Sequence, residues 1–198
     1  MTLPRFYPIF DSVAWLERAL PLGVKLVQLR IKDRAPDDLR ADIRAGLALA
    51  REYGAALVIN DYWQIAIEEG ADWVHLGQED LDEADLPAIR RAGIKLGLST
   101  HDHAELDRAL ALSPDYIALG PVYPTILKQM KWNQQGLERV REWKRLIGEI
   151  PLCAIGGMSV ARAPGAFDAG ADIVSAVTDI TLNPDPDARM RDWQQVCA

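Results

Sequence analysis

Positive charge is in short supply. The chain carries 22 Lys and Arg against 29 Asp and Glu, for a net charge of -7. A duplex nucleic-acid binder carries a basic face, so nucleic acid is not an expected partner. Cysteine is scarce as well. Cys153 and Cys197 form no C-x-x-C pair, which argues against a disulfide framework and for reduced thiols in a cytoplasmic protein. No stretch of about 18 apolar residues occurs, so neither a membrane span nor a membrane partner is expected. The opening MTLPRFYPIFD is too short and too broken for a signal peptide. Low-complexity segments and linkers are also missing.

With 49% hydrophobic and 26% charged residues, the composition is that of a soluble globular protein. At about 100–200 residues per domain, 198 residues predict one compact domain over 1–198. Short apolar segments alternate with longer amphipathic ones. The pattern predicts strands at 6–10, 24–31, 56–61, 72–77, 95–100, 115–122, 151–157 and 172–178. Between them, Leu39, Ile43, Leu47 and Ala50 share one helical face, as do Leu137, Val140 and Ile147 further on. Such a run of βα units closes into a (β/α)8 TIM barrel or opens into a doubly wound sheet. No G-x-G-x-x-G follows the first strand, where Asp11-Ser12 reads as a helix cap, and the spacing is near uniform. The barrel is the expected fold, with few insertions. The stretch 129–135, QMKWNQQ, is irregular and a candidate lid.

Barrel chemistry sits at the C-terminal ends of the strands. Here those ends are polar: QLRIKD, IND, HLGQED, LST, GPVYPT, AIGG and VSAVT. Gln28, Arg30 and Lys32 alternate with Leu29 and Ile31, so the polar trio shares one strand face and points into the mouth. Two cations and an amide there suit an anion with several oxygens, such as a diphosphate. Asn60-Asp61 and Glu79-Asp80 end the next two strands. Facing a diphosphate, Asp61 and Asp80 suggest a Mg2+ site; the plainer reading makes each a helix N-cap. Ser99-Thr100-His101 ends the fifth strand, with no G-x-S-x-G elbow to make Ser99 a nucleophile. The H-x-H of His101 and His103 lacks a third ligand. Lys128, after Pro124-Thr125, says little by itself. Gly156-Gly157 and Ser175 fall where such barrels bind a phosphate. Trp15 and Trp143 read as helix-face packing.

Taken in order, QLRIKD, INDYWQIA, GADWVHLGQEDL, LGLSTH, DYIALGPVYPT, AIGGMS and VSAVT resemble the successive motifs of the thiamine phosphate synthase family. The resemblance runs from about Tyr7 to Thr178. It implies a (β/α)8 barrel and a transferase. The reaction joins 4-amino-2-methyl-5-(diphosphooxymethyl)pyrimidine to 4-methyl-5-(2-phosphooxyethyl)thiazole and releases diphosphate. By resemblance, the pyrimidine diphosphate contacts are Gln28, Arg30, Lys32, Asn60, Ser99 and Lys128. Of these, Arg30, Lys32, Ser99 and Lys128 take part in the chemistry. Asp61 and Asp80 are the implied Mg2+ ligands. Thr125, Gly157, Val174 and Ser175 are the implied thiazole phosphate contacts. Leu127, in PTILK, stands where the family has a second Thr. The expected partners are these two small molecules; the sequence leaves open whether the chain forms a homo-oligomer. The alternatives are a thiazole tautomerase-like paralogue, which would not need the diphosphate and metal residues, and a non-catalytic thiamine-precursor binding protein. A sugar-phosphate epimerase barrel would want acidic residues and His ligands at strand ends, where only His75 is near.

Overall fold

Strict in-out alternation along each strand decides the architecture. In a computed structural model, which describes residues 3–125 and 133–198, eight parallel strands close in sequence order into a barrel. They are β1 (Phe6–Phe10), β2 (Leu26–Leu29), β3 (Ala56–Asn60), β4 (Trp73–Leu76), β5 (Lys95–Thr100), β6 (Tyr116–Leu119), β7 (Leu152–Ala154) and β8 (Ile173–Ala176). The ring closes where Tyr7 of β1 pairs with Ser175 of β8. The strands match the expected ones, with β1 and β5 identical in extent. The others are shorter, because the chain leaves the ladder before the polar motifs at their ends.

Outward-facing residues such as Val27, Leu29, Leu57, Ile59, Val74, Leu76, Leu98, Ile117 and Leu119 pack under the helices in one continuous apolar shell. Each buried aliphatic side chain there contributes about 1.5–3 kcal/mol relative to exposure. The helical side of the shell comes from α1 (Val13–Ala19), α2 (Pro36–Glu52), α3 (Trp63–Glu68), α4 (Leu86–Arg91), α5 (His103–Ala111), α6 (Gly136–Ile147), α7 (Ala163–Asp168), α8 (Thr178–Thr181) and α9 (Pro186–Val196). Helix α2 buries Leu39, Ile43, Leu47 and Ala50, the face read from sequence. Pro36 opens it with a fixed φ, and Asp37 and Asp38 oppose the positive end of its dipole. Asp102 caps α5 by accepting from Glu105 N, and Asp185 caps α9 by accepting from Ala188 N. Ser12 precedes α1 without a side-chain capping bond. Trp193 of α9 stacks on Phe6 at 5.5 Å and covers the β1–β8 seam. Among the described residues no helix is long and apolar enough to cross a membrane.

A second apolar cluster fills the barrel itself: Tyr7, Leu26, Val58, Trp73, Tyr116, Ala118, Cys153 and Ile173. Gly97 on β5 makes that filling possible. A Cβ there would sit 2.1 Å from the Tyr116 ring. The interior is therefore an apolar plug, and the polar inward positions Gln28, Asn60, His75, Ser99 and Ser175 lie nearer the C-terminal ends of their strands.

Candidate active site

Above that plug opens a cavity of about 690 Å³ lined from all eight strand ends. Gln28, Arg30, Lys32, Asn60, Asp61, Asp80, Ser99, Thr125, Gly157 and Ser175 all line it. Sequence parity and strand-end placement thus bring ten of the expected residues to one space. Val174 is not among them. Its side chain lies in the shell under the helices, because Ser175 takes the inward position and neighbours on a strand alternate. Lys128, Leu127 and residues 129–132 of the candidate lid lie outside the described residues.

On the β2–β4 side, Lys32 forms an ion pair with Asp61. Asp61 holds the left-handed conformation, φ 65°, rare for a residue with a Cβ. Its amide donates to His75 O at 2.9 Å, and the amides of Tyr62 and Trp63 turn back onto Asn60 and Asp61. The chain bends sharply there, and Tyr62 rather than Asp61 precedes α3 as its cap. Asp80 accepts from Gly77 N at 2.9 Å. Burial, then the neighbouring Asp61 carboxylate, push its carboxyl above the usual range. The two carboxyl groups are neighbours, and neither is the N-cap of the helix that follows it: Tyr62 precedes α3, and Glu79 precedes the short turn at Asp80–Asp82.

The described lining counts five carboxylates, Asp11, Asp61, Glu79, Asp80 and Glu105, against the two cations Arg30 and Lys32. Asp61 and Asp80 offer hard oxygen donors on the same side as Arg30 and Lys32, which suits Mg2+ shared with phosphate oxygens and water. His101 and His103 do not form a metal pair. Their ring nitrogens meet Glu105 and Glu142, at 2.7 and 2.8 Å.

On the β6–β8 side the backbone comes close. Gly156 and Gly157 have φ of 93° and 61°. A Cβ on Gly157 would stand 2.3 Å from Pro124 O, and one on Gly156 2.6 Å from Pro121 Cα. Only glycine permits this approach. Val122 N and Tyr123 N bond Ile155 O and Gly156 O at 2.8 and 3.0 Å, fastening the β6 loop to the β7 loop. Among the described residues the Ser175 hydroxyl, which lines the same cavity, is buried without a hydrogen-bond partner, an uncommon state for a buried polar atom.

Three aromatic and imidazole groups escaped the reading from sequence. Gln28 Nε2 donates to Tyr7 OH at 2.8 Å; Tyr7 OH meets Tyr116 OH at 2.9 Å; Tyr116 OH meets His75 Nδ1 at 2.7 Å; His75 Nε2 meets Ser99 Oγ at 2.8 Å. The chain crosses the barrel from β2 to β5. Burial drives the His75 pKa down to about 4, so its ring is neutral. Burial also pushes both phenols upward, keeping them protonated. Their one signal in sequence is a polar or ring-bearing residue at an inward strand position. Trp143 packs as expected and donates to Thr100 Oγ1 at 2.8 Å. Trp15 packs against the core from α1 as expected, stacked on Phe10 at 5.2 Å, and also lines the cavity.

A family model described as thiamine monophosphate synthase matches residues 6–180. A thiamine-phosphate synthase of Rhizobium etli is 61% identical over 193 residues, covering 98% of this chain and 95% of the relative. One from Enterobacter sp. is 49% identical over 192 residues, covering 97% and 88%. Among solved structures, a thiamine phosphate pyrophosphorylase from Pyrococcus furiosus superposes with a TM-score of 0.87 at 26% identity, covering 98% of this chain and 95% of that one.

Proposed function

The chain belongs to the thiamine monophosphate synthase family, and we propose that it is a transferase that makes thiamine phosphate and releases diphosphate, with its two substrates at opposite sides of the barrel mouth. The observation that carries this reading is the division of the cavity. Two cations and two paired carboxylates stand at the β2–β4 ends. A glycine cradle, with a hydroxyl unpartnered among the described residues, stands at the β7–β8 ends.

The substrates carry matching groups. The pyrimidine diphosphate brings several anionic oxygens to Arg30 and Lys32, with Gln28, Asn60 and Ser99 beside them. Asp61 and Asp80 would hold Mg2+ there, and its chemistry is neutralisation of the diphosphate charge. The thiazole phosphate brings one monoester to Thr125, Gly157 and Ser175. Lys128 joins the diphosphate group by sequence motif.

The bond from the pyrimidine methylene carbon to the diphosphate oxygen breaks first, and its electron pair leaves with the oxygen. The electron-rich aminopyrimidine delocalises the cation that remains. The thiazole nitrogen then gives its lone pair to that carbon and becomes positively charged, so no proton is lost. A protein nucleophile and a strong general base are both unnecessary, which agrees with a neutral His75 and protonated Tyr7 and Tyr116. Arg30 and Lys32 meet charge that grows on the leaving group, the kind of interaction that lowers a barrier most. Holding the two substrates in one cavity supplies the rest. The test is diphosphate release and thiamine phosphate formation, measured with each substrate alone and with both. Thiamine phosphate formed with both substrates, together with Mg2+-dependent diphosphate release, supports the reading; no thiamine phosphate from both substrates refutes it.

A further inference from the structure

We propose that the buried chain Gln28–Tyr7–Tyr116–His75 is a one-way hydrogen-bond relay that fixes Ser99 as a donor to the substrate, which makes Tyr7, Tyr116 and His75 positioning residues. The protons available fix the direction. Each phenol has one, and a neutral imidazole has one. Gln28 Nε2 donates to Tyr7, so the Tyr7 oxygen is accepting there. If Tyr116 also donated to Tyr7, the Tyr7 proton would have no acceptor among the described residues. Leaving a buried donor unmade is the costly case. Tyr7 therefore donates to Tyr116, across 2.9 Å. Tyr116 in turn donates to His75 Nδ1, across 2.7 Å. With Nδ1 accepting, the proton of the ring sits on Nε2 and is donated to Ser99 Oγ, across 2.8 Å. The Ser99 hydroxyl, with its oxygen engaged, can turn its own proton toward the cavity it lines.

The surroundings hold this arrangement still. Tyr7, Tyr116 and Gln28 are 2%, 1% and 2% exposed, so water does not compete for the bonds. The Tyr116 ring stacks with His75 at 5.5 Å and meets Tyr7 edge-on at 5.9 Å. Gln78 Nε2 donates to Ser99 O at 2.7 Å and fixes the serine backbone. A fixed donor at Ser99 selects an acceptor atom on the ligand. That assignment rests on the reading above, in which the pyrimidine diphosphate lies on this side of the cavity.

The experiment separates the two claims. The sequence has three histidines, and the ring nitrogens of His75 are assigned in 15N spectra of the whole protein by their loss in His75→Gln. At neutral pH the relay requires the Nε2–H tautomer. An Nδ1–H tautomer would mean that the chain runs the other way, with the Gln28 carbonyl accepting, and overturns the proposal. Tyr116→Phe removes the hydroxyl and keeps the ring. His75 should then populate both tautomers, and KM for the pyrimidine diphosphate should rise about tenfold while KM for the thiazole phosphate stays within about twofold. Tyr7→Phe, tested in parallel, should raise the same KM if Tyr116→Phe folds poorly. A tautomer and both KM values unchanged in the folded variants would refute the relay. An Nε2–H tautomer in a protein without synthase turnover would instead refute the functional reading and leave the relay standing.

Discussion

Gly97→Ala tests the packing of the barrel most sharply. The new Cβ would stand 2.1 Å from Tyr116 Cζ, 2.2 Å from Cε1 and 2.5 Å from the hydroxyl. Non-bonded carbons settle at about 3.5–4.0 Å, so the ring or β5 must retreat by more than about 1 Å. Tyr116 has nowhere to go. Trp73, His75 and Tyr7 surround it at ring separations of 6.1, 5.5 and 5.9 Å. Overpacking costs about 1–3 kcal/mol. Moving the hydroxyl also breaks its bonds to Tyr7 and His75, and each stranded buried group costs about 1–3 kcal/mol more. The expected loss is about 3–9 kcal/mol. At roughly 2–4 °C per kcal/mol for a domain of this size, Tm should fall by at least about 6 °C. Urea unfolding at constant slope gives the free energy directly. In a Tyr116→Ala background the same glycine substitution should cost less than about 1 kcal/mol, since the ring is gone. A fall in Tm under about 2 °C for Gly97→Ala alone would show that β5 backs away freely, and the packed-plug description would be wrong.

Three further outcomes follow from the site. Calorimetry should show Mg2+ binding well only when diphosphate is present, and Asp80→Asn should weaken it; equal heats in the variant and the unmutated protein would remove Asp80 from the ligand set. Arg30→Ala should slow single-turnover diphosphate release by about 10²–10³-fold, the scale of losing one preorganised donor, with little effect on thiazole phosphate binding; a drop under tenfold would reassign it. His75 titrates at about 4 when folded and near 6.5 when not. The unfolded chain therefore binds its proton first as pH falls, and stability present above about pH 6.5 is lost by about pH 4, in total about 3 kcal/mol. The urea midpoint of His75→Gln should fall less steeply over that window, and parallel profiles would count against a neutral buried ring.

Parity explains what could be read from the chain and what could not. In QLRIKD, period two puts Gln28, Arg30 and Lys32 on one face, and the cavity has all three on its wall. Strand ends were harder. Arg30 N still bonds Phe10 O at 2.7 Å beyond the end of β2, so the extended pattern outlasts the ladder. The same parity excludes the Val174 side chain once Ser175 faces inward; a resemblance carries residues across without asking which way they point. Tyr7, His75 and Tyr116 come from three strands that meet only across the closed barrel, and no local spacing reports such a meeting. Left-handed Asp61 is equally silent in sequence, because aspartate at a strand end caps helices more often than it bends them.

The fastening of the β6 loop to the β7 loop changes what can be exchanged between homologues. Residues 121–124 lie so close to Gly156 and Gly157 that a side chain added at either glycine would collide with them. Replacing residues 121–124 without Gly156-Gly157 would separate two segments that are bonded to each other here. The heritable unit on this wall is the pair of loops, and recombination that cuts between β6 and β7 breaks it.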